Sequence, residues 1–166
     1  MERNRSVAAA IVKGAVAGAA ATWLMTQATT WMYEQESDDA KERENKARGD
    51  RTAYEVAAEK AAGLAGTELS EEQRGQAGMA IHWATGIGAG IVYALLRRRT
   101  PRAAAGKGLA FGTGFYLLVD ELLNPLLGLT PAPQAFPWQA HARGLGGHLA
   151  FGATTELVLE ALDRVA

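Results

Sequence analysis

The chain has 166 residues, a formal net charge of −1 and no cysteine, which excludes disulfides, thiolate metal centres and cysteine nucleophiles. A mean hydropathy of −0.08 averages over apolar, Gly/Ala-rich stretches and one strongly charged insert at residues 34–77, so it describes neither. Basic residues cluster beside apolar segments instead of forming a broad patch, which argues against a nucleic-acid partner.

The first element is the run VAAAIVKGAVAGAAATWLMTQATTWMY at residues 7–33, interrupted by the single charge Lys13. It is long enough to cross a hydrocarbon layer of about 30 Å. Arg3 and Arg5 ahead of an apolar stretch also suit a secretory signal. Lys13 splits that stretch, however, and the apolar character runs past any small-residue cleavage site, so a retained helix is expected. The insert at 34–77 is charged enough to sit in water, with a short helix expected around residues 52–64, where Ala, Glu and Lys predominate.

Ser70 followed by Gln73 fits a capping box, so a second helix begins there. Its membrane span is expected at about 78–98, ending at Arg97, Arg98 and Arg99 before Thr100 and Pro101. A third span is expected at about 104–124, where Pro125 removes a backbone donor and either stops or kinks it. The connection LGLTPAPQAFPW, with its prolines and terminal aromatics, suits an ordered turn at a membrane surface; a fourth span follows at 144–164. The expected fold is therefore all-α: a four-helix transmembrane bundle forming one membrane domain, with a short extramembrane helix in the first outer loop.

Orientation follows from the loops. Arg97, Arg98, Arg99, Arg102 and Lys107 crowd the connection between the second and third spans, whereas residues 127–142 hold no Lys or Arg. Positive charge stays inside, which places both termini in the cytoplasm and the insert outside, in agreement with Arg3 and Arg5. Trp23, Trp31, Trp83 and Trp138 then fall toward the outer side.

Small residues recur four apart: Gly14 and Gly18, Gly86 and Gly90, Gly108 and Gly112, with Gly144 and Gly152 flanking His148. In lipid, where no hydrophobic force drives helices together, such ridges favour close van der Waals packing of backbones. GLAFGTG from Gly108 and HLAFGAT from His148 also resemble each other. On antiparallel helices a true repeat would be inverted, and shared Gly-rich composition explains the match more cheaply.

Counting about 1.5 Å per residue, His82, Asp120, Glu121 and His148 fall at similar depth in the outer half, with Thr26 and Gln27 from the first helix. Such a polar layer either fixes the bundle by interhelical hydrogen bonds or handles protons and ions, since a histidine paired with a carboxylate titrates near neutral pH. His82 and His148 are weak metal or haem candidates, because no HExxH or Glu-x-x-His pattern accompanies them. In the inner half Lys13 faces Glu156 and Glu160 as possible partners, or snorkels to the surface. No Gly-x-Ser-x-Gly elbow or phosphate loop is present, so nucleophilic hydrolase and phosphate-loop chemistry have no sequence support, and no cofactor is expected.

HWATGIGAGIVYALL from His82, DELLNPLLGLTPAPQAFPW from Asp120 and GGHLAFG from Gly146 together resemble the YagU-like family of small bacterial inner-membrane proteins. The specific part is the loop Pro125, Leu126, Gly128, Leu129, Thr130, Pro131, Pro137 and Trp138. The resemblance implies a multi-pass inner-membrane protein, with a loose link to stress or acid tolerance and no established activity. Expected partners are the lipid bilayer and a second copy of the chain or another membrane protein. The functional alternatives are a structural or stress-associated protein, a proton-linked ion or small-solute conductor, and a haem- or metal-binding redox protein.

Overall fold

A computed structural model describes residues 2–100, 104 and 106–165, with side chains from residue 7 onward. Arg102 and the side chains of Arg3 and Arg5 lie outside the described residues. Among those described the chain is helical, with no strand: α1 (Glu2–Glu34), α2 (Asp38–Arg48), α3 (Ala53–Leu64), α4 (Glu71–Arg99), α5 (Leu109–Tyr116), a π-helical run (Leu117–Leu123), α6 (Asn124–Leu126), a 3-10 turn (Pro133–Ala135) and α7 (Trp138–Arg164).

The long segments pack antiparallel around α1, which lies against α4 on one side and α7 on the other; α5 covers the far side of α7, and α3 covers α4. Backbones come close where side chains are absent. A Cβ added at Gly90 would stand 2.5 Å from the Gly14 carbonyl oxygen and the Gly18 Cα, and one at Gly18 would stand 2.7 Å from the Gly86 carbonyl oxygen. Gly108 and Gly112 of the third segment meet Gly152 and the His148 carbonyl in the same way. The two look-alike segments at 108–114 and 148–154 thus lie head to tail against one another, which gives the sequence likeness a local two-fold packing. Tyr93, fully buried, spans the wider gap from α4, with its ring 4.8 Å from Phe111 and its hydroxyl on Glu156.

Several expected boundaries move. The insert holds two helices, because Ser37 caps Asp38–Arg48 with its hydroxyl and Gly49 closes it in the left-handed region (φ 64°). Nor is the insert simply immersed in water: Ala40, Glu44 and Ala58 are buried, and Lys60 donates to the Leu127 carbonyl at 2.7 Å. The third segment starts at Leu109, after a tight turn in which Gly106, Lys107 and Gly108 all have positive φ. The helix passes through Pro125 by one residue and ends at Leu126. The Asn124 N–H reaches back five residues to the Val119 carbonyl, and the wider π-helical turn ahead of Pro125 absorbs the missing donor before the helix runs on to Leu126. Helix α7 begins at Trp138, six residues before the expected start of the fourth span at Gly144, with Pro137 setting its extended entry (ψ 152°).

Two helices, Val7–Glu34 and Glu71–Arg99, are long and apolar enough to cross a membrane by length and composition, and only 33% and 22% of their apolar windows are buried. The π turn divides the third segment, and α7 carries His141, Arg143, Glu156, Glu160 and Asp163, so neither belongs with those two.

Candidate functional site

A cavity of about 330 Å³ opens where α4, the π-helical run and α7 meet beneath the folded insert. His82, His141, His148, Asp120, Glu121, Tyr54 and Tyr116 line it, so four of the residues that sequence placed in one polar layer share its wall. Gln27 does not; it lies on the exposed face of α1, and Thr26 is the α1 residue that meets the site.

His82 sits one turn before Gly86 on α4, and its Nε2 lies 3.3 Å from Thr26 Oγ1. The Thr26 hydroxyl already donates to the Thr22 carbonyl (2.9 Å), so in this contact it accepts and His82 Nε2 carries the proton. Nδ1 is then a bare acceptor, buried and without a hydrogen-bond partner among the described residues. Tyr54 of α3 packs edge-on to the same ring at 4.9 Å. Burial, and next the Asp120 carboxylate, push its phenol up to about 12, so it stays a neutral hydroxyl.

His148 Nδ1 faces the Gly144 carbonyl at 2.9 Å and therefore donates to it, with its ring held between Phe115 and Tyr116. Asp120 lies 3.7 Å from that nitrogen and accepts a long hydrogen bond (3.5 Å) from Asn124 Nδ2. The π-helical register brings residues five apart onto one face, so the Tyr116 hydroxyl donates to Glu121. Glu121 also pairs with His141 Nδ1 at 2.7 Å, while His141 Nε2 faces the Pro133 carbonyl at 3.0 Å. A carbonyl only accepts, so Nε2 donates to Pro133, and the contact of Nδ1 with the Glu121 carboxylate is an ion pair when the ring is protonated.

Above the cavity Arg143 donates to Glu36 and, at 2.6 Å, to both oxygens of Glu44, and its guanidinium lies over the Tyr33 ring. This pins the insert across the helix ends. His141, Arg143 and Tyr54 were not legible as site residues. His141, Gly144 and His148 do fall at i, i+3 and i+7, a one-face spacing that appears only once α7 is known to begin at Trp138. Tyr54 carries no such signal.

At the opposite end the expected partners change. Lys13 pairs with Asp163 (2.8 Å) instead of Glu156 or Glu160, and Lys107 takes Glu160 (2.6 Å). Glu156, with 2% of its side chain exposed, accepts from the Tyr93 hydroxyl at 2.7 Å and Arg97 Nε at 3.1 Å. As a weak metal site His82 and His148 gain no support, since no group of three or more His, Asp or Glu is placed to hold an ion among the described residues.

The fold and site define an all-helical protein with two apolar helices of membrane-crossing length and a histidine–carboxylate cavity at one end. The sequence model of DUF1440, a family of proteins of unknown function, matches residues 56–157, and the chain belongs to that family. No curated protein and no solved structure matches the chain.

Proposed function

We propose that the chain is a four-span bacterial inner-membrane protein that captures a small solute from the outer side in its histidine–carboxylate cavity. The cavity carries the reading: concave, partly apolar and lined by convergent polar groups, it has the make-up of a ligand site. Membrane placement is supported by Val12, Val16, Trp23, Trp31, Met79, Val92, Leu117 and Leu118, which turn large apolar surfaces away from the interior. The YagU-like resemblance of the loop from Pro125 to Trp138 points the same way. Arg97, Arg98, Arg99 and Lys107 gather at the end opposite the cavity, and the positive-inside rule puts that end in the cytoplasm.

Capture is favoured over conduction because Phe115, Phe151, Phe111 and Tyr93 form a continuous aromatic ladder below His148, filling the interior between the cavity and the Glu156 cluster. A receptor at the outer surface also suits the association with stress or acid tolerance that the resemblance implies.

Because the chain has no cysteine, single cysteines report topology without background. In intact cells a membrane-impermeant maleimide is expected to label Ser37→Cys but not Val165→Cys, and the protein to stay in membranes washed with alkaline carbonate. Release by carbonate, or labelling in the opposite pattern, would contradict the proposed placement.

A further inference from the structure

A second cavity, of about 270 Å³, lies at the other end of the bundle, where α1, α4 and α7 meet. Ala10, Ala94 and Leu159, all buried, supply its apolar wall, and Lys13, Arg97, Arg98 and Asp163 supply the charged one.

The charged wall holds more donors than acceptors. Asp163 is shared: one carboxylate oxygen takes Lys13 at 2.8 Å and the other takes Arg97 Nη1 at 2.6 Å. Arg97 Nε is spent on Glu156, whereas Arg97 Nη2 and the other Lys13 N–H groups make no hydrogen bond to a described residue. Both side chains line the cavity and are 23% and 24% exposed, so the two cations are open to a ligand. Among the described residues of this end, Lys13, Arg97, Arg98, Arg99, Lys107 and Arg164 stand against Glu156, Glu160 and Asp163. A field of that sign draws an anion.

A free anion would use the charged wall alone, yet the cavity also runs out onto an apolar face. Ala9 lines it, and Val12, Val16 and Trp23 follow Ala9 at i+3, i+7 and i+14, a spacing that keeps them on one side of α1. Their side chains turn outward, 63%, 50% and 57% exposed. A charged recess continuous with an exposed apolar ridge matches a molecule with an anionic head and a long apolar tail.

We infer that this cavity seats the headgroup phosphate of an anionic phospholipid from the leaflet facing this end, with Lys13, Arg97 and Arg98 around the phosphate and an acyl chain along Val12, Val16 and Trp23. Basic recesses between spanning helices on the cytoplasmic side suit such headgroups. The inference rests on the bilayer placement proposed above and is independent of solute capture at the opposite end. A zwitterionic phospholipid brings its own ammonium into a wall already rich in cations, so an anionic headgroup is preferred.

The test is native mass spectrometry of the detergent-purified full chain, offered equimolar dioleoyl phosphatidylglycerol and dioleoyl phosphatidylethanolamine, with ammonium phosphate as competitor. A single phosphatidylglycerol is expected to stay bound, in about fivefold preference to phosphatidylethanolamine, and to resist the phosphate. Lys13→Gln and Arg98→Gln are each expected to lower its retention about fivefold, the effect of one basic side chain at an anionic lipid, while Arg99→Gln, just outside the cavity, leaves it unchanged. Arg98 and Arg99 are both exposed, so that comparison decides the matter even where Lys13→Gln does not fold. Equal retention of the two lipids, or equal loss in Arg98→Gln and Arg99→Gln, overturns the site. Displacement by ammonium phosphate overturns the lipid as the source of the anion. Any of these results in a chain that stays in carbonate-washed membranes leaves the bilayer placement standing, whereas release by carbonate removes both.

Discussion

Gly90 shows how little room single residues have where α1 meets α4. Its backbone stands against both Gly14 and Gly18, so Gly90→Ala has to push two backbones apart, with a cost expected in the overpacking range of about 1–3 kcal/mol. Gly88, two residues away, has nothing within 4 Å of an added Cβ, so Gly88→Ala is expected to be neutral or to stabilise by up to about 1 kcal/mol through helix propensity. Thermal unfolding of the two variants in the same detergent checks the contrast. In the insert, Glu55 accepts from the Thr52 backbone N–H at 2.7 Å, and Glu55 N–H returns to the Thr52 hydroxyl, closing a capping box. The Thr52 backbone hydrogen bond, ahead of the opposing effect of burial, holds the Glu55 carboxyl below its ordinary value. The folded value being the lower one, the stabilisation is present above the unfolded value and is lost as pH falls through the folded one. Amide exchange in the first turn of α3 is expected to speed up on that descent, and to be fast and less dependent on pH there in Glu55→Gln.

At the scale of elements, the insert and the π-helical run each do something their local sequences do not announce. Helix α2 is polar almost throughout, and its docking depends on Arg143, whose side chain is 13% exposed between Glu44 at 3% and Glu36 at 9%. Replacing Arg143 with Met leaves the shielded Glu36 without a cation and Glu44 with Arg48 alone, a loss expected at about 3 kcal/mol and concentrated on α2. Limited proteolysis is expected to cut first near Gly49 and Asp50 in that variant, with α4 and α7 still protected; unchanged resistance would mean that α2 is held by other contacts. The π-helical run sets the register of the site: with ordinary α-helical winding, Tyr116 and Glu121, five residues apart, would lie about 140° apart around the helix and their hydrogen bond would be lost.

For the whole molecule, the apolar surface decides the solvent. Trp23, Trp31 and Trp138 are 57%, 64% and 71% exposed. In a bilayer these rings sit at the lipid boundary, so brominated phospholipids are expected to quench most of the tryptophan fluorescence of the reconstituted protein. Fluorescence indifferent to brominated lipid would place these faces against protein or water instead. The proposed bilayer placement accounts for packing through small residues: little would be gained by burying Val or Leu side chains that lipid solvates equally well, and close backbone contact is what remains.

The sequence by itself determined that the chain is helical, where α1 and α4 run, and the Ser70 and Thr52 starts of α4 and α3, because apolar runs and caps are local and act within a turn or two. Counting along the helices put His82, Asp120, Glu121 and His148 near one another as an expectation, and the four line one cavity. Tertiary structure alone decided the rest. That Gln27 faces outward, that Lys13 meets Asp163, that His141 joins Glu121 and that Tyr54 closes the cavity all depend on helix rotation and on contacts between residues far apart in the chain. A pattern within one segment fixes which residues share a face, but only the neighbour packed against that face fixes what they touch.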